Sequence, residues 1–198
     1  MKKCICALLA FVLCLTSVMA LAEFTPSKTA NDLTRIEATA ENVPEGEGFI
    51  VRVIAADEEA YQEQIAACEA ELVNLAAAES VDTYFGEEVD LKSMLNTETL
   101  NVYEFAPFTA AGYDASYGNV TAQMLFSTPY KAGQKVVVMI GILVENEDGT
   151  TTIVWTPFEG IGIETDDLEA VGSIQVELDP DTVLAVQNGT AFIAIVSE

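Results

Sequence analysis

Glu104 has the least ordinary setting of any acid in the chain. It stands among Tyr103, Phe105 and Phe108, where loss of water would raise a carboxyl pKa and suit it to general acid chemistry. A pair of carboxylates can hydrolyse a glycosidic bond with no other catalytic side chain, so a glycan hydrolase stays open as an alternative. No second carboxylate is singled out among the 32 acids, however, and a residue such as Glu104 more often simply sits on the exposed side of its strand. No catalytic residue is assigned. Glu145-Asn146-Glu147-Asp148-Gly149 is rich in oxygen ligands and keeps a calcium-dependent surface protein as a second alternative. The run misses the EF-hand pattern at its first and last positions, and Asp148-Gly149 is a strong hairpin signal that explains it fully. No cofactor or metal is therefore expected.

The chain contains no histidine, which removes the Ser-His-Asp triad, the Cys-His pair and histidine ligation of zinc. Neither a Walker loop nor G-x-G-x-x-G occurs, and Gly160-Ile161-Gly162 reads as the mark of a kinked strand. These features point away from an enzyme. The best contact candidates lie in the loop Ala106–Gly118, where Phe108, Tyr113 and Tyr117 mix with small residues. Tyrosines on an adaptable loop suit a sugar face or a protein. The competing arrangement has all three rings tucked back onto the edge of the sheet.

The N-terminus follows the secretory pattern, with Lys2 and Lys3, an apolar run from Ile5 to Leu15, and Ala20-Leu21-Ala22 before Glu23. Residues 1–22 are expected to be a cleaved bacterial-type signal peptide, leaving a secreted or cell-surface protein with no membrane insertion. The formal net charge is −24, and it becomes −26 once Lys2 and Lys3 depart, because residues 1–22 hold no acid. A field of that sign repels phosphate backbones, so nucleic acid is excluded and an unknown protein or glycan is the expected partner. Cys4, Cys6 and Cys14 lie in the leader. Cys68 then has no intramolecular partner and reads as a small buried hydrophobe.

Behind these residues stand elements of two periods. Residues 23–32 read as an irregular lead-in. Leu33–Ala40, Val120–Ser127 and Ser173–Leu178 alternate with the period of a half-buried strand, and Phe49–Ala55 reads as a further strand. Val136–Val144 is continuously apolar, as a strand buried on both faces would be. Thr151–Thr156 answers it across the hairpin, and Ala191–Val196 reads as the last strand. Tyr61, Ile65, Cys68, Leu72 and Leu75 form one stripe of a helix over 57–78, with Asp57 as its cap. A short helix follows at 90–95.

In the stretch from Asp179 to Val196, Asp179-Pro180 opens a helical turn, and Gly189-Thr190-Ala191 forms a corner leading into the last strand. With Trp155 upstream, this resembles the closing portion of bacterial immunoglobulin-like modules over about the last 45 residues. The resemblance implies a surface spacer, adhesin or binding domain, and no catalytic residue. The expected fold is mainly β (α+β). It is an immunoglobulin-like antiparallel β-sandwich in one domain, 33–198, with a helical insertion over 57–96. The expected function is an exported, non-enzymatic binding or structural module.

Overall fold

The computed structural model describes residues 33–86, 88–127, 129–165 and 172–198. Residues 1–22, expected as a leader and holding three cysteines, and the expected lead-in at 23–32 lie outside them. The strands are β1 (Leu33–Ala40), β2 (Ile50–Val53), β3 (Asn101–Ala111), β4 (Val120–Phe126), β5 (Lys135–Glu145), β6 (Thr151–Ile163), β7 (Gly172–Leu178) and β8 (Ala191–Ser197). The helices are α1 (Gln62–Ala77), α2 (Val81–Phe85), α3 (Leu91–Leu95) and α4 (Pro180–Asn188).

All eight strands belong to one antiparallel sheet, in the order β1-β4-β7-β6-β5-β8-β3-β2. Its two edges, β1 and β2, curl round to lie beside each other, and Ile36 and Val51 from these edges meet in one interior cluster. The expected sandwich of two facing sheets is thus replaced by a nearly closed barrel. An eight-stranded barrel encloses a space that side chains can just fill, and here Phe108, Val138, Ile140 and Ile193 fill it, all fully buried. Apolar residues at every second position line a barrel and a sandwich core alike, so alternation in β4 and β7 could not separate the two. What decides is that all eight strands join in one continuous sheet whose edge strands, β1 and β2, meet.

The helical insertion covers the outside of the barrel. Cys68 and Leu75 of α1, Phe85 of α2 and Leu91 of α3 pack on Phe105, Met139 and Phe192 from β3, β5 and β8. The central strands are consequently apolar on both faces, one lining the barrel and the other receiving helices. Each large side chain fully buried in this way contributes about 1.5–3 kcal/mol. Gly141 of β5 leaves room for the Trp155 ring, which a Cβ would approach to 2.6 Å.

Three local expectations change. The long helix begins at Gln62 rather than Asp57, after a 3-10 turn at Glu59–Tyr61, and it has no side-chain cap. Glu58 is instead drawn back by the Arg52 guanidinium, at 2.6 and 2.8 Å, and by the Ala55 N–H at 2.8 Å, which shapes the chain into a turn there. Residues Ala106–Ala111, read as loop, are the second half of β3. Pro107 is tolerated because β2 pairs only with Phe108–Ala111, so Pro107 lies just past the end of that ladder, its carbonyl accepting from Ile54 N–H at 3.0 Å. The C-terminal turn is a nine-residue helix, α4. Asp179 caps it through Thr182 N–H at 2.9 Å, and Val183 and Val186 close one end of the barrel interior.

Candidate functional site at the Lys131–Lys135 turn

The structure places the three aromatic candidates inside. Phe108, Tyr113 and Tyr117 are 0%, 4% and 5% exposed and belong to the interior cluster, so they take the tucked-back arrangement. Gly112, at φ +76°, turns the chain out of β3 and aims Tyr113 inward. The Tyr113 hydroxyl donates to the Gly118 carbonyl at 2.5 Å, and the Tyr117 hydroxyl donates to Glu47 at 2.6 Å. The bond to Glu47 is the main cause that raises the Tyr117 pKa, while burial is the main cause for Tyr113.

Glu104 is fully buried in β3 rather than on its wet side. The register slips by one residue between Val102 and Glu104, so Val102 points outward to the helices while Glu104 pairs with Ile195 on the inner face. Glu145–Gly149 closes the β5–β6 hairpin, with Gly149 at φ +78°. Asp148 accepts from both the Thr150 N–H and hydroxyl, at 3.0 and 2.6 Å, and these bonds lower its pKa. The turn thus uses its own oxygens, and no described group of three or more His, Cys, Asp or Glu side chains converges as metal ligands would. Cys68 faces β3 beneath α1, where burial pushes its thiol up to about 12.

Charge singles out a different place. The described residues carry five lysines and arginines, and three are committed to nearby acids: Arg35 to Glu37, Arg52 to Glu58 and Lys92 to Asp82. Lys131 and Lys135 form no ion pair among the described residues, although acids outnumber bases four to one in the chain. Both are exposed and both line one groove of about 650 Å³, whose walls also include Leu95 of α3 and, at the end of β8, Ser197 and the exposed Glu198. Lys135 also borders a neighbouring hollow of about 230 Å³ lined by Met94, Val136, Val137 and Ile161, with Glu159 on the same wall.

The turn that presents these lysines is fastened to the barrel. Gly133 N–H donates to the Gly162 carbonyl at 2.8 Å and Gly162 N–H to the Gln134 carbonyl at 2.7 Å. Gln134 closes the turn on itself, its N–H reaching the Lys131 carbonyl and its side chain accepting from Lys131 N–H. Gly162 is required here: a Cβ would fall 2.1 Å from the Lys131 carbonyl oxygen. The glycine pair that reads as a kinked strand therefore admits a close backbone approach at Gly162, and at Gly160 makes room for Val136, Val138 and Ile174. The groove lies at the start of β5, whereas α4 leads into β8 opposite Ile142 near the other end of β5.

No protein-family model, curated protein or solved structure matches the chain. The functional reading accordingly rests on the chemistry of these residues. Lys131 and Lys135 were missed in the sequence because nothing local tells a solvated lysine from one held beside a groove. Two lysines flanking Ala-Gly-Gln in so acidic a chain were the available signal.

Proposed function

We propose that the chain is an exported, non-enzymatic binding module of a bacterial surface or secretome, meeting its ligand on the outside of the barrel at the Lys131–Lys135 groove. The observation that carries this reading is the filled interior. Side chains from the strands and from α4 occupy the barrel, so a ligand's place is outside, where the groove joins a rigid turn to an apolar hollow. The secretory pattern at residues 1–22 supports export and a place outside the cell. No described helix is long and apolar enough to cross a membrane.

The test uses Ala132, an exposed residue on the turn. Ala132→Trp should fill the groove and leave the barrel's thermal unfolding unchanged. Secreted wild-type protein and the variant are screened in parallel on a glycan array and against host envelope fractions. A ligand retained by wild type and lost by the variant supports the reading, and equal retention by both sinks it. Mass spectrometry of the secreted product should show Glu23 as the first residue, and an intact Met1 would refute cleavage.

A further inference from the structure

We propose that the groove takes a small ligand with an oxyanion head and a short apolar body, the head held by Lys131 and Lys135. This deepens the binding reading above and rests on it. Three observations converge. First, among the described residues the two lysines form no ion pair, whereas the other three cations do. Glu159 borders the same hollow as Lys135, and Glu198 the same groove as both lysines, yet neither acid pairs with them, so both ammonium groups keep their donors open to the groove.

Second, the backbone between the lysines is fixed before any ligand arrives. The bonds that join Gly133, Gln134 and Gly162 remove the ordering cost a flexible basic loop would incur on binding. An ammonium carries three donors and a compact charge, which suits a carboxylate or phosphate oxygen. Third, the hollow next to Lys135 is walled by Met94, Val136, Val137 and Ile161. At roughly 30 Å³ for each water-sized group, its volume of about 230 Å³ admits a body of about six to eight heavy atoms. A bare inorganic ion would leave that apolar wall unused. The strongly negative field of the protein, with Glu198 on the groove wall and Glu159 beside the hollow, works against any anion, so contact must come from these two lysines together with apolar burial.

The experiment is a titration of the secreted, isotope-labelled protein, followed through backbone amide shifts, with octanoate, octyl phosphate, inorganic phosphate and the neutral octyl glucoside. The two octyl anions should move the amides of Gly133, Gln134 and Lys135 and saturate, with inorganic phosphate about tenfold weaker or more. Which octyl anion binds tighter tells whether the head is a carboxylate or a phosphate. Lys131→Gln combined with Lys135→Gln should weaken both anions about tenfold while leaving amide dispersion unchanged. Glu159→Gln should strengthen them about two- to threefold by removing an opposing charge, and higher salt should weaken them.

If octyl glucoside binds as tightly and the double variant changes nothing, the oxyanion assignment falls while the binding groove stands. If no probe moves these amides and Ala132→Trp retains every ligand that wild type retains, both fall.

Discussion

Gln187 and Tyr113 hold each other by two opposed hydrogen bonds: the Tyr113 N–H donates to the Gln187 side-chain oxygen at 2.8 Å, and the Gln187 side-chain nitrogen donates to the Tyr113 carbonyl at 3.2 Å. The pair ties the last turn of α4 to the corner that leaves β3, and so keeps Val183 and Val186 seated in the barrel interior. A buried amide left without these partners costs about 1–3 kcal/mol. Gln187→Ala should lower stability by about that amount in urea unfolding. Gln187→Met, which keeps the length but not the polar atoms, should cost nearly as much. An unchanged midpoint for both would show that the end of the barrel is held by packing alone.

This lock shows what the sequence could and could not reveal. Asp179-Pro180 announces α4 through cap and first-turn chemistry, and the apolar run Val136–Val144 announces a strand buried on both faces, because both signals are local. Gln187 carries no such mark, since its partner is 74 residues away. Glu104 misled for a related reason. A one-residue slip beside Tyr103 turns it to the inner face, and no periodicity in Asn101–Ala111 records a slip of that kind. Barrel closure was equally hidden, because it depends on which strands become the edges.

Arg52 and Glu58 make a pH-dependent contribution. The guanidinium, bonded to both carboxylate oxygens, is the main cause holding Glu58 below its ordinary value of 4.5. The folded chain then takes up this proton less readily than the unfolded chain does. The stabilisation is complete above about 4.5 and disappears as pH falls through the lowered value. Glu58→Gln should therefore be less stable than wild type at neutral pH, with the gap closing on acidification. Thermal melts of the two proteins across the acid range measure it, and a gap independent of pH would assign the loss to some other contact.

Gly141 should tolerate no side chain. Its absent Cβ is the space in which the Trp155 ring lies, 2.6 Å from where that carbon would stand. Trp155 in turn packs edge-on against Phe85 at 4.9 Å and Phe105 at 5.8 Å, joining α2 to the barrel wall. Gly141→Ala pushes the ring outward and should cost about 1–3 kcal/mol through overpacking. As Trp155 is the chain's single tryptophan, the displacement is read directly in fluorescence. A red-shifted emission with loss of stability is expected, and an unchanged spectrum would place the ring elsewhere.

Cys68 offers a test of how firmly α1 is docked. Burial against β3 is the main cause that raises its thiol from 9.0 to about 12, with Glu69, Glu104 and Glu71 adding to the shift. The thiolate is the reactive form, so at pH 8 the folded protein should react with an aromatic disulfide only as fast as α1 lifts away or the chain unfolds. One thiol per chain should then appear in denaturant, once residues 1–22 are gone. The same shift predicts a dependence at the alkaline end. The unfolded chain loses this proton near 9.0 while the folded chain keeps it, so the stabilisation is whole below 9.0 and is lost as pH rises from there towards about 12. Cys68→Ala should be flatter over that range. Rapid, complete labelling in native buffer would mean that α1 does not cover the barrel wall, and the outer core formed by α1, α2 and α3 would have to be redrawn.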